Sequence, residues 1–265
     1  MFTIDNLVQP ETLEEAYKIL TEKRNNTILG GCAYLRLGSQ RIGTAVDLSK
    51  MNLNFIKEQD EYIALGCMTT FRDVEISLVL HEYFGGVLPK AVSNVVGVQF
   101  RNIVTVGASV YARYGFSDLI TPLLALDTEV QLYRGGRMSL EMFLNKPLEK
   151  DILATVFIKK SAKKAAYQHL RKSASDYPIL NVAVSNLDNQ WIIAVGARPQ
   201  RAAISRHASE ELSKGNMTNE KIDHIASLVA EELSYGTNMR GNAEYRKAIS
   251  KVLVKRAISE VLQWK

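Results

Sequence analysis

A chain of 265 residues, 46% hydrophobic and 23% charged, has ordinary globular composition. It buries roughly 70–75% of its unfolded surface, enough for a core without disulfides or metals. Two cysteines, Cys32 and Cys67, exclude four-cysteine ligation of zinc or of an iron–sulfur cluster within the chain, and they fit a reducing cytosol better than a secreted scaffold.

The first twenty residues lack the charged-then-apolar layout of a signal peptide. No window approaches ~18 uninterrupted apolar residues, so no membrane span is expected and the chain reads as cytoplasmic. Leu13, Ala16, Tyr17, Ile19 and Leu20 have helical spacing, with Thr12 as N-cap and Glu15 three places on, a capping box. Thr27–Leu29 reads as a short buried strand and Gly30-Gly31 as the turn after it. A helix is expected to start between Ala33 and Leu37. "GTAVDLS" and "YIALGC" are further strands.

Thr70 to Leu80 reads as helix, as does Lys90 to Gly97. Leu119–Leu126 is a helix that runs into a strand at Glu129–Tyr133. Gly135-Gly136 is a hairpin turn, with Arg137 to Leu140 pairing back. Asp151 to Lys160 alternates like an exposed edge strand. The basic stretch "KKSAKKAA" at 159–166 marks a domain boundary. Strands near Tyr167–Arg171, Ile179–Asn186 and Trp191–Gly196 then suggest an antiparallel sheet. Helices follow over Ser205–Lys214, Asn219–Ser234 and Ala243–Gln263.

The net charge of +5 sits largely at the end: Arg240, Arg246, Lys247, Lys251, Lys255, Arg256 and Lys265 against Glu244 and Glu260. This reads as a terminal helix with a solvated basic face, or one packed on an acidic partner. Without interleaved aromatics or a binding motif it does not read as a nucleic-acid surface. The four histidines have no metal-ligand spacing.

Two turns carry candidate chemistry. "ILGGCAYLRLG" (28–38) is either an anion cradle or a tight strand-to-helix turn. In "FRNIVTVGASVYARYGFSDLITPLLALD" (100–127) a strand end leads into Gly107-Ala108-Ser109, where small residues and a hydroxyl let backbone N–H groups converge on an anion. Neither matches a Walker loop or GxGxxG, which argues against a Rossmann-type NAD enzyme.

"LGGCAYL", "AVDLS", "LGCMTTFRDVE" and "FRNIVTVGASVYARYGFSDLITPLLALDTEV", in that order, resemble the FAD-binding medium subunit of molybdenum hydroxylases, of the xanthine dehydrogenase and carbon monoxide dehydrogenase type. "YQHLRKSASDYPILNVAVS", "VGARPQRA" and "NMRGNAEYRKAISKVLVKRAI" resemble the family's second domain, so the resemblance spans nearly the whole chain. It implies an α+β fold. A two-part FAD-binding domain of the vanillyl-alcohol-oxidase-like (PCMH-type) fold would occupy residues 1–162, with parts at about 1–55 and 56–162. A smaller α+β domain with an antiparallel sheet and C-terminal helices would occupy 163–265.

The resemblance implies that Leu29, Gly30, Gly31, Cys32, Ala33 and Tyr34 wrap the FAD pyrophosphate, joined by Thr105, Gly107, Ala108, Ser109 and Tyr111 from the second turn. Asp118 matches an aspartate near the adenosine end, or else is a helix N-cap. Leu153 matches an apolar residue near the flavin ring, or else is plain core. His169 falls where relatives have lysine; it is shorter and mostly neutral at pH 7, which weakens any electrostatic role. Tyr177 falls where a residue covers one face of the isoalloxazine, or else is a half-buried strand tyrosine.

The partners implied are a molybdopterin-binding large subunit and a small 2Fe-2S subunit, so molybdopterin and iron–sulfur clusters lie outside this chain. FAD would pass electrons to NAD or another acceptor, and the chain alone would not act on substrate. Relatives have Thr-Asp or Thr-Asn where Cys32-Ala33 stand, and Gly-Thr-Ile-Gly-Gly-Asn where Val104-Thr105-Val106-Gly107-Ala108-Ser109 stand. These departures predict weaker FAD retention. The alternative is a flavin-free or weakly flavin-binding structural subunit of the same kind of complex. A self-contained FAD oxidase would need a substrate domain that the sequence does not offer.

Overall fold

The computed structural model describes residues 2–160 and 164–263. The domain boundary expected at 162/163 falls on 161–163, outside the described residues, as does Lys265.

The chain opens with β1 (Thr3–Val8), α1 (Leu13–Glu22), β2 (Thr27–Leu29) and β3 (Arg41–Asp47). The strands form a parallel sheet in the order β1-β3-β2. Thr12 caps α1 as expected, its hydroxyl accepting from the Glu15 amide at 3.2 Å. β1 has no apolar alternation because it is an exposed edge, with Leu7 58% accessible.

The next segment holds β4 (Ile56–Glu58), β5 (Tyr62–Gly66), α2 (Phe71–Ile76), α3 (Leu78–Glu82), α4 (Val87–Ser93), α5 (Val98–Arg101), α6 (Val106–Tyr111), α7 (Ile120–Ala125), β6 (Thr128–Leu132), β7 (Gly136–Ser139), α8 (Leu140–Asn145) and β8 (Leu153–Lys159). Its five-stranded sheet runs β4-β5-β8-β6-β7. β8 is therefore central, not an exposed edge: it pairs antiparallel with both β5 and β6. Alternation reports which face of a strand is buried and says nothing about its edges.

The helix expected over Thr70–Leu80 breaks at Ser77 (ψ 117°), whose hydroxyl caps α3. The helix expected over Lys90–Gly97 stops at Ser93, and Val96 is left-handed at φ 51°.

The C-terminal part comprises β9 (Lys164–Leu170), β10 (Leu180–Leu187), β11 (Gln190–Gly196), β12 (Ala203–Ile204), α9 (Arg206–Leu212), α10 (Asn219–Glu232) and α11 (Ala243–Gln263). An antiparallel sheet β12-β11-β10-β9 packs one face on α9–α11, through Val182, Val184, Ile225, Val254 and Ile258. Its other face meets the main core through Tyr167, Ala183 and Ala194. The basic end is not simply solvated. Arg246 is 1% exposed and donates to the carbonyls of Ile179, Gly236 and Gly241 and to Asn238 Oδ1. Lys247 and Lys255 pair with Glu231 and Asp223 of α10.

Candidate functional site

A cavity of about 380 Å³ lies between the end of β2 and the start of α6. Leu29, Gly30, Cys32, Ala33 and Tyr34 line it from one side, and Thr105, Gly107, Ala108, Ser109 and Tyr111 from the other, with Leu153 at its wall. Eleven of the fifteen expected residues thus meet in one cavity. Gly31, Asp118, His169 and Tyr177 do not line it.

The first turn is not a helix start. Gly31 and Cys32 are both left-handed, at φ 77° and 58°, and only a single 3-10 turn, Leu35–Leu37, follows. No α-helix follows them before β3, so no helix dipole is available here. Another donor set takes its place. The backbone N–H groups of Gly31, Cys32, Ala33 and Tyr34 have no acceptor among the described residues. Consecutive free amides around left-handed residues make a concave anion site. Gly31 must be glycine: a Cβ there would fall 1.5 Å from the Ile103 carbonyl oxygen.

The second turn differs from expectation. Its amides are spent inside the protein: Val106 N–H donates to Thr69 O and Gly107 N–H to Cys67 O, both at 2.8 Å. Ala108 N–H donates to Thr105 Oγ1 at 3.3 Å, and Ser109 N–H to Thr105 O at 3.1 Å. Ser109, half-buried at the cavity, has a hydroxyl with no partner among the described residues. Ala108 is not left-handed, so the backbone cost expected of an alanine replacing glycine is absent. Its methyl faces Gly30 instead, where a Cβ would lie 2.5 Å away.

Sequence reasoning missed Cys67, Lys150 and Asp151. Lys150 Nζ lines the cavity and donates to the carbonyls of Leu20, Lys23 and Asn26 at 3.0, 2.7 and 2.9 Å. Burial lowers its pKa. Asp151 accepts from the amides of Arg134 and Gly135, fixing the β6–β7 turn. A Lys-Asp pair ahead of a strand was the only available signal. Both cysteines are free. Burial pushes the Cys67 thiol up to about 12, and burial with Asp47 raises Cys32, so both stay protonated at neutral pH.

An aromatic group closes the cavity. Tyr34 and Tyr114 line it with ring centroids 5.0 Å apart. Phe116 stacks on Tyr114 at 5.0 Å, and Tyr177 lies behind, 4.7 Å from Phe116 and beneath the Arg240 guanidinium.

Asp118 is 6% exposed and faces the C-terminal sheet. It accepts from the Tyr167 hydroxyl and from Arg171 Nη2. Leu119 is the N-cap of α7; ahead of it, the Ser117 hydroxyl, not the Asp118 carboxylate, accepts from the Ile120 amide at 3.2 Å. Burial raises the Asp118 carboxyl, against the opposing pull of Arg171 and Tyr167. His169 Nδ1 accepts from Arg171 Nε at 3.2 Å. Burial, then Arg171 and Lys90, bring His169 down to about 4, so it is neutral at pH 7.

Comparison with known proteins identifies the family. Residues 2–175 match the model of the FAD-binding domain in molybdopterin dehydrogenase, and residues 165–261 that of the CO dehydrogenase flavoprotein C-terminal domain. The chain belongs to the family of FAD-binding medium subunits of molybdenum hydroxylases. It is 25% identical over 269 residues to the nicotine 6-hydroxylase medium subunit of Paenarthrobacter nicotinovorans, covering 95% of each chain. It is 23% identical to the glyceraldehyde dehydrogenase medium chain of Sulfolobus acidocaldarius, covering 96% of this chain and 97% of the relative. Among solved structures, carbon monoxide dehydrogenase from Hydrogenophaga pseudoflava superposes with a TM-score of 0.87 at 20% identity, over 97% and 96% of the two chains. Quinoline 2-oxidoreductase from Pseudomonas putida 86 superposes with a TM-score of 0.88 at 20% identity, over 98% and 97%.

The residues lining the cavity have the chemistry that FAD calls for. A run of free amides suits a pyrophosphate, and the apolar and aromatic walls from Leu29, Tyr34, Tyr114 and Leu153 suit flat rings.

Proposed function

We propose that this chain is the electron-transfer subunit of a molybdenum-dependent dehydrogenase, working beside a molybdopterin-binding large subunit and a small 2Fe-2S subunit. One observation carries the site: the amides of Cys32, Ala33 and Tyr34, which line the cavity, and of Gly31 beside them, have no acceptor among the described residues. They would hold the pyrophosphate, with Gly30 giving close approach and the Ser109 hydroxyl adding a donor from the second turn. Leu153 and the aromatic group would bound the flat part of the cofactor, and Tyr177 would support that group from behind. When bound, FAD supplies exchange between one-electron and two-electron carriers. The acceptor is NAD or another two-electron carrier, and substrate chemistry belongs to the large subunit.

A second reading is a structural subunit with little or no flavin. It is favoured by the second turn, whose amides are already spent and whose Ala108 methyl faces Gly30. Flavin absorbance of the purified chain, and fluorescence titration with FAD, separate the two. Saturable binding near 1:1 supports the electron-transfer reading. Absence of binding, alone and in the co-expressed complex, supports the structural one.

A further inference from the structure

Three arginines gather where the segment after α6 meets the loop after β11. Arg113 and Arg198 are 8% and 5% exposed, and Arg201 is exposed. The two segments are locked together. Ala197 N–H donates to Gly115 O at 2.8 Å, and a Cβ on Gly115 would lie 2.6 Å from the Gln200 carbonyl oxygen. Arg113 is left-handed at φ 53°, a conformation unfavourable for a bulky residue. Its guanidinium lies 4.1 Å from the Phe143 ring centre, and its Nη1 donates to Lys146 O at 2.5 Å. Arg201 Nη1 donates to Leu144 O. Arg198 holds the loop, donating to Ser234 O and, at 2.9 Å, to Arg201 O.

Satisfying carbonyls at the end of α8 accounts for one nitrogen each of Arg113 and Arg201. Among the described residues, the other nitrogens of Arg113 and Arg201 have no acceptor. Nε of Arg113 and Nε of Arg198 are buried without an acceptor among the described residues; an outside anion would not touch them, but would offset the charge they carry. The charged or titratable neighbours that act on Arg113 are Arg201 and Tyr111, and Tyr235 alone acts on Arg198. Among the described residues, none of the three arginines is paired with a carboxylate. A buried guanidinium beside a like charge is unfavourable without a counter-ion. A planar, two-oxygen anion is the group that guanidinium forks match.

We propose that Arg113 and Arg201, with Arg198 fixing the loop, receive one oxyanion, a carboxylate or phosphate-type group. The site lies beside the cavity and outside it: Tyr111, Ala112 and Tyr114 line the cavity and Arg113 does not. The oxyanion is either an acidic side chain of a partner subunit or a free solute; the partner case rests on the function proposed above.

The test uses Arg201→Gln, which changes an exposed residue, and Arg113→Met, which keeps packing on Phe143. Arg41→Met is the control for loss of one surface charge. Thermal denaturation of the full chain is compared in chloride, acetate and inorganic phosphate at equal ionic strength. Assembly with the co-expressed large and small subunits is measured by dissociation constant. Stabilisation by phosphate or acetate that Arg201→Gln abolishes assigns the site to a free anion. Absence of that stabilisation, with assembly weakened about tenfold or more in Arg201→Gln but not Arg41→Met, assigns it to a partner carboxylate. If neither effect is seen, the proposal is overturned. If the wild type forms no complex, the partner reading fails by itself and the anion titration alone decides.

Discussion

Gly30 and Ala108 meet face to face across the two turns: a Cβ on Gly30 would stand 2.5 Å from the Ala108 methyl carbon and 3.1 Å from Thr105 Oγ1. The space between the turns is therefore set by these two residues. Ala108→Gly removes the methyl and is expected to tighten FAD about three- to tenfold, while costing about 1 kcal/mol of stability as a glycine inside α6. Gly30→Ala is expected to abolish binding. Flavin fluorescence titration reads both; unchanged affinity in Ala108→Gly would show that the methyl does not limit the site.

Cys32 occupies a left-handed conformation at φ 58°, which costs a non-glycine residue about 1 kcal/mol or more. Cys32→Asn, better tolerated there, is expected to hold or raise stability. Cys32→Val, β-branched, is expected to lose about 1–2 kcal/mol. Urea denaturation of the two variants gives the comparison, and equal midpoints would refute the strain.

Asp118 and Arg171 form a buried pair with Tyr167 between segments far apart in sequence. Asp118→Asn leaves Arg171 buried without its counter-ion, and a loss of about 3–5 kcal/mol is expected. Because Asp118 does not line the cavity, FAD affinity of the folded variant should be unchanged. A large loss of affinity with stability intact would instead place Asp118 at the adenosine end.

His169 supplies a pH signature. Its pKa falls from 6.5 to about 4 on folding, so between these values the unfolded chain holds a proton that the folded chain does not. Stability must then fall as pH drops from about 6.5 toward 4. His169→Gln is expected to flatten that part of the stability–pH curve by up to one proton. Denaturation midpoints at several pH values measure the slope; an unchanged slope would mean that the ring is solvated.

Much of this fold was legible because its signals are local. Thr12 and Glu15 announced α1, and α11 spans the expected Ala243–Gln263. The two turns were visible as glycine and small-residue clusters after strands, and eleven expected residues share one cavity. What stayed hidden depends on partners distant in sequence. β8 looked like an edge because the strands that flank it, β5 and β6, cannot be read from its own alternation. Asp118 reads as a cap beside Ser117 until Tyr167 and Arg171 arrive. Lys150 shows nothing in its neighbourhood of the three carbonyls it serves. Cys32 gives no hint of its φ, and the close approach of Gly31 beside it to the Ile103 carbonyl depends on a segment distant in sequence.

The ammonium of Lys150 spans 130 residues of sequence to reach Leu20 O, and Leu153 completes the wall three positions later. The pocket therefore has no existence in a nascent chain whose first hundred residues alone have emerged, although both glycines of the first turn are already present. On the function proposed above, cofactor capture during synthesis waits until the segment through Leu153 has left the ribosome and joined the rest of the lining. A chain truncated ahead of Lys150 would keep the glycine turn and have no compartment in which to use it.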